Sequence, residues 1–390
     1  MTENRFMKYP KTTTALFAAV ILIVLVLGFE KYLAWTKPAS EVKLRSIKRH
    51  VRLRERDPLT VSMMKPVDPP GRHITDSLVY KDYRLQIDKD GLIFPSRVHD
   101  NPDLNIVFLG GSTTECLFVD ELERFPYLVG RLLEKEGRTV NSYNGGVSGE
   151  NSLHLLDILL NKVVPIRPNI VVMMENTNDV LILLYEGDYW NKNPYKSPVI
   201  TDSVVETPSS EIKNGVRGIV KGVKDLMVPN LYSRIEPILF KQKEIDEFAD
   251  VRGKKLIIHK DDLVKKFRNN LQTFISISKS NGIVPVLMTQ SSRFKENPDS
   301  VVLERTSRLE HDFGIQYGRF KELFDLFNET IRRVGKANNV LVIDLAKLVP
   351  QEKEYIYDYD HYNGNGSKLA ASMIANELLK HEDILKSARY

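Results

Sequence analysis

From about residue 100 onward the chain alternates short apolar runs with longer stretches of helical period. Residues 105–109, Asn-Ile-Val-Phe-Leu, form the continuous apolar run of a buried strand. Tyr127, Leu128, Leu132 and Leu133 then recur on one face of a helix over 125–137, with Gly137 as its stop. The alternation continues with a strand at 139–143, a helix at 152–164 closed by Pro165, and a strand at 169–174. Leu263, Phe267, Leu271, Phe274 and Ile275 mark an amphipathic helix that stops at Asn281-Gly282, before a strand at 283–288. Tyr317, Phe320, Phe324, Phe327, Ile331 and Val334 mark another, followed by a strand at 340–343 and a last helix at 367–379. Strands separated by helices pair in parallel through right-handed crossovers, with helices on both faces. The expectation is an α/β protein: a three-layer α/β/α sandwich around a five-stranded parallel sheet.

The N-terminus reads differently. Residues 12–29 carry no charge and 15–27 are wholly apolar, just long enough for a bilayer core of roughly 30 Å. Tyr9, Tyr32 and Trp35 flank this stretch as interfacial aromatics do. No small-x-small cleavage site follows it, so the pattern predicts an uncleaved transmembrane helix and a single-pass cell-membrane protein. Arg5, Lys8 and Lys11 precede the span, the start of an export anchor; Lys37, Lys43, Arg45, Lys48, Arg49, Arg52, Arg54 and Arg56 follow it. Charge bias alone would hold the second group in the cytoplasm, but long domains translocate largely regardless of charge. The expected orientation puts the large domain outside the cytoplasm. The chain thus divides into a tail and anchor (1–36), a basic linker and edge segment (37–100), and a domain (101–390) with an insertion at 183–260. Within the linker, Asp88-Lys89-Asp90-Gly91 reads as a hairpin turn inside 80–94.

Composition narrows the function classes. With 390 residues, 42% hydrophobic and 27% charged, the chain is ordinary for a globular protein. Its formal net charge of +5 is a mild excess, and the basic run at 43–56 lacks the interleaved aromatics of a nucleic-acid surface. That run reads as a solvated helix or a surface on anionic headgroups. The single cysteine, Cys116, excludes an intramolecular disulfide and a Cys-cluster zinc site, and reads as a packing residue. His154, His259 and His311 lack metal-ligand spacing, and the pattern calls for no metal or other cofactor.

The chemistry lies at the strand ends. Gly110-Gly111-Ser112-Thr113 ends the first strand, Asn144-Gly145-Gly146-Val147-Ser148-Gly149 the second, and Asn176-Thr177-Asn178-Asp179 the third; Asp358-Tyr359-Asp360-His361 follows the fifth. Ligands of parallel sheets bind beyond the carboxyl ends of the strands, so four motifs converge on one rim. A serine hydroxyl becomes a competent nucleophile when a base takes its proton and a third group orients that base. Here the chain order is Ser, Asp, His. Each block alone has a plain reading: the glycines as a tight turn, Asn178-Asp179 as a cap. Gly110–Thr113 lacks the Lys-Ser/Thr of a P-loop and the final glycine of G-x-S-x-G. Asp360 is a rival to Asp358 as the orienting acid.

Together the four blocks resemble those of the SGNH (GDSL-like) hydrolase superfamily, over roughly 101–182 and 283–380. The resemblance implies a flavodoxin-like fold, with Ser112 as nucleophile, His361 as base and Asp358 as its orienter. It further implies an oxyanion hole of the Ser112 N–H, the Gly149 N–H and the Asn178 amide. The chain departs from the pattern at Gly111, where the family has Asp, and at Asn176, where it has Gly. Membrane-tethered members resemble esterases and acyltransferases of cell-surface polysaccharides, which implies an acylated carbohydrate as substrate and, for transfer, an acyl donor at the membrane. The alternative is a glycan-binding or assembly protein that keeps the fold without catalysis. Tyr185, Tyr189, Trp190 and Tyr195, where the insertion begins, either line the acyl or sugar site or pack the insertion down.

Overall fold

The computed structural model describes residues 10–36, 48–67, 75–193, 196–202, 253 and 258–387. The chain falls into two compact units, one of Met1–His50 with Ile200–Asp246 and one of Val51–Val199 with Glu247–Tyr390.

In the first unit, helix α1 (Pro10–Thr36) runs 27 residues through the predicted anchor. Its Leu16, Phe17, Ile21, Leu25 and Phe29 side chains are all more than half exposed. Among the described residues no helix is long and apolar enough to cross a membrane.

The second unit holds the sheet. β1 (Lys48–Val51) lies mostly in the first unit; in the second, β2 (Val61–Met64) pairs antiparallel with β3 (Tyr83–Gln86). The turn expected at Asp88 forms: its Oδ1 accepts from Asp90 N at 2.8 Å and Leu92 N at 2.9 Å. Ile93 then bridges back to Ile87 and across to Asn144, so this segment lies along the edge of the main sheet. That sheet comprises β4 (Leu104–Gly110), β5 (Val140–Asn144), β6 (Ile170–Met174), β8 (Val284–Met288) and β9 (Val342–Ile343). β7 (Val199–Asp202) lies outside it and pairs with β1. The order β5-β4-β6-β8-β9 is parallel throughout, in the flavodoxin-like arrangement with the first strand between the second and third.

Side chains of period two divide the core into two layers. Val107, Leu109, Val171, Met173 and Leu287 face one layer with α3 (Ser152–Ile158), α4 (Thr177–Glu186), α5 (Lys260–Ser280) and α7 (Tyr317–Ala337). Ile106, Phe108, Val172, Met174, Val286 and Met288 face the other, with α2 (Phe125–Glu134) and α8 (Gly364–Lys380). The three layers read from the sequence are therefore present. One helical stop differs: beyond α3 the chain passes through a π turn, Leu159–Val163, and Pro165 continues as helix in Val164–Ile166. The wide turn accommodates a proline that would break a regular helix. Among the longer helices of the described residues, two went unread, α4 and α6 (Ser300–Phe313). The first is buried nearly all round, and the second buries only Val302, Thr306 and Phe313.

Candidate active site

The connection leaving β4 runs to β5 on one side and that leaving β6 runs to β8 on the other, so the crevice between the carboxyl ends of β4 and β6 is the switch point of the fold. Ser112 sits there, opening a single helical turn, Ser112–Glu115. An amide at that position has no intrahelical acceptor and remains a donor for a ligand. His361 arrives from the loop between β9 and α8. Its Nε2 lies 2.7 Å from Ser112 Oγ, and its Nδ1 lies 2.8 and 3.0 Å from the Asp358 oxygens. Asp358 Oδ1 also accepts from the backbone N–H of His361 at 2.9 Å and of Asp360 at 3.1 Å. D-x-x-H spacing thus turns the chain tightly around one carboxylate. Arg305, from α6, donates to Asp358 Oδ2 at 3.4 Å.

The rival acid is close too. Asp360 Oδ1 lies 3.0 Å from His361 Nδ1 at ion-pair distance, but makes no hydrogen bond there. Its other oxygen accepts from Thr177 Oγ1 at 2.7 Å and Gln290 Nε2 at 3.0 Å. Asp358 is therefore the hydrogen-bonded partner and Asp360 a second negative charge beside the ring. Burial favours the neutral imidazole, but Asp358 and then Asp360 outweigh it and hold the His361 pKa well above the usual histidine range. Burial pushes Asp358 up, yet the adjacent imidazole brings its pKa down to about 2. Asp358, Asp360 and His361 also meet as a cluster of metal-ligand type; the hydrogen bonds of the ring account for it.

Asn178 lines a cavity of about 30 Å³ together with Ser112 and His361. A Cβ at Gly111 would meet Asn178 Nδ2, so the glycine lets the Asn178 amide pack close against the backbone beside Ser112. Gly149 takes a left-handed φ of 77°. It does not line that cavity, but Ser148 before it borders a wider one of about 160 Å³ with Ser112, Arg305 and His361. The structure thus gathers Ser112, Asp358, His361 and Asn178 at one point, with the Ser148–Gly149 peptide beside them.

Cys116 is buried, and burial pushes its thiol up to about 12, the state of a packing residue. His154 caps α3 from within, accepting from Asn151 N, and burial drops its pKa to about 3. The aromatics divide: Tyr185 stacks on Phe313 at 4.1 Å, and Tyr189 is buried with its hydroxyl on Asp179, whereas Trp190 is 66% exposed. Tyr195 lies outside the described residues.

Four acids behind the site were missed. Glu115, Glu150, Glu175 and Asp179 are all buried, each in or beside a block that carries a predicted site residue. Burial raises Glu150 and Glu175 well above the carboxylate range and Asp179 to about 6. Their adjacency to the motif residues was the available signal; an acid next to a turn ordinarily reads as solvated.

Fold and site together define a class: α/β proteins with a serine–histidine–aspartate constellation at the carboxyl rim of a parallel sheet. No protein-family model matches the chain, and no curated protein matches it. Solved structures do. LAE5, an α/β hydrolase from the metagenome of Lake Arreo in Spain, aligns over 72% of this chain and 96% of its own, at 14% identity and a TM-score of 0.40. Axe2, an acetylxylan esterase of Geobacillus stearothermophilus, aligns over 70% and 94%, at 14% identity and 0.39. A lipase/acylhydrolase of Enterococcus faecalis aligns over 70% and 95%, at 18% identity and 0.39. These values describe a partial likeness, and the chemistry of the site rests on its own geometry.

Proposed function

We propose that this chain is a serine ester hydrolase or O-acyltransferase working through an acyl-enzyme. The observation that carries the reading is the hydrogen-bonded line from Ser112 Oγ through His361 to Asp358, at 2.7 and 2.8 Å. Ser112 Oγ adds to the ester carbonyl while its proton passes to His361 Nε2. The tetrahedral oxyanion takes hydrogen bonds from the Ser112 N–H, the Gly149 N–H and the Asn178 amide. On collapse, the C–O bond to the alcohol breaks and His361 returns the proton to the leaving oxygen. Asp358 holds the tautomer and stabilises the imidazolium. Water or a sugar hydroxyl then repeats the sequence on the acyl-enzyme, giving hydrolysis or transfer.

The cavity of about 30 Å³ on one side of Ser112 has room for a group as small as acetyl, and the wider one of about 160 Å³ borders the same serine. The family resemblance adds an O-acetylated carbohydrate of the cell surface as the substrate class. The uncharged stretch at 12–29, inside α1, adds a single-pass anchor in the cell membrane, with the domain outside the cytoplasm.

The test is hydrolysis of an aryl acetate by the full chain in detergent. Ser112→Ala and His361→Ala are each expected to lower turnover by about 10³-fold or more, and the double variant little further, because a triad acts as a unit. Retention of most activity by Ser112→Ala would refute the assignment.

A further inference from the structure

The basic run after α1 reads from sequence as a surface for solvent or lipid. Its last arginines instead enter the second unit and grip the turn that carries Gly149. Arg54 donates twice to the Ser148 carbonyl, from Nε at 3.2 Å and Nη2 at 2.9 Å. Arg56 donates to Glu115 Oε1 through Nε at 2.9 Å and again through Nη2. Glu115 in turn accepts from Ser148 N at 3.1 Å and from the Ser148 hydroxyl. Lys196, from the far side, reaches the Gly149 carbonyl at 3.4 Å. Three successive peptides of one turn are therefore each held by an ionic side chain.

The middle peptide matters most. In a trans peptide the C=O and N–H point in opposite directions. The Ser148 carbonyl and the Gly149 N–H belong to the same plane. A guanidinium fork on that carbonyl fixes where the N–H points. Gly149 alone would not fix it, because glycine crosses between backbone regions at little steric cost. The same two cations crowd the residue: a Cβ on Gly149 would lie 2.7 Å from Lys196 Nζ and 2.8 Å from Arg54 Nη2. They bring positive charge to the turn, where it also favours a developing oxyanion.

We propose that Arg54 is a positioning residue that aims the Gly149 N–H into the oxyanion hole, with Arg56 and Glu115 bracing the preceding peptide. This rests on the serine-esterase reading above. Arg54 and Arg56, at the end of the basic run, are on this account part of the catalytic apparatus.

The experiment compares full-length wild type, Arg54→Ala and Arg54→Lys on an aryl acetate. Intact sites are counted in each sample by saturating fluorophosphonate labelling. Per labelled site, Arg54→Ala is expected to lose kcat by about 10²-fold, the scale of a displaced oxyanion donor, with KM little changed. Arg54→Lys, which keeps the charge but loses the fork, is expected to lie between, about tenfold below wild type. A purely structural arginine would lower the labelled fraction and leave kcat per labelled site unchanged, which overturns the proposal. Should Arg54→Ala fail to fold, wild-type kcat in Arg54→Lys overturns it equally. A wild type that neither labels nor hydrolyses refutes the esterase reading itself, a result distinct from either.

Discussion

His361 stands between two carboxylates, and only one of them aligns with its Nδ1–H. The second has a measurable consequence. A base must be neutral to accept the Ser112 proton. Because Asp358 and Asp360 raise the His361 pKa, kcat/KM should climb with pH through an apparent pKa above that of an unperturbed histidine, near 6.5. Asp360→Asn removes one negative charge and should move that limb toward lower pH, raising the relative rate at pH 6. Asp358→Asn should instead lower the plateau by about 10⁴-fold through the wrong tautomer. A pH–rate profile that Asp360→Asn leaves in place would refute the role given to Asp360. From sequence, the D-x-x-H spacing favoured Asp358, and the structure gives Asp358 the hydrogen bonds. That both acids reach the ring was not legible, because it depends on the turn from Tyr357 to His361, closed by Tyr357 N donating to His361 O at 2.9 Å.

Elements were legible where burial imposed a period. The strands β4, β6 and β8 are buried on both faces and read as apolar runs, and α7 shows its stripe from Phe320 to Val334. The helix α6 did not read, since three buried side chains give too little pattern; its cap, Asp299 accepting from Val302 N at 3.1 Å, was the remaining cue. Element contacts also set the tolerance of the site. At the start of α8, Asn363 Oδ1 accepts from Gly366 N at 2.9 Å, and a Cβ on Gly366 would strike the Tyr355 carbonyl oxygen. Both sides of that contact are backbone, so neither yields by rotating a side chain. Gly366→Ala is therefore expected to cost about 2 kcal/mol, as overpacking does, and to lower the thermal midpoint by about 4–8 °C. A melt unchanged from wild type would show that the α8 turn shifts freely.

Over the whole molecule, the sheet and its four motif-bearing ends were legible because each motif had to lie at a strand end. The fate of the linker was not: single charges at Arg54 and Arg56 look solvated in sequence, and the residues that pair them, Ser148 and Glu115, are distant along the chain. Orientation across a membrane belongs to this scale. With the domain proposed outside the cytoplasm, a C-terminal alkaline phosphatase fusion in a bacterial host should be active. An inactive phosphatase beside an active cytoplasmic reporter would reverse the orientation and leave the anchor standing. The buried Glu150 and Glu175 reach further than the site. In the unfolded chain both carboxyls lie in water, with pKa near 4.3; in the folded chain burial raises both well above that range. Between the unfolded and folded values, folding therefore takes up protons. The share of stability linked to these two acids is fully present below the unfolded pKa and drains away as pH rises toward the folded values, so rising pH loosens the very floor on which the nucleophile stands.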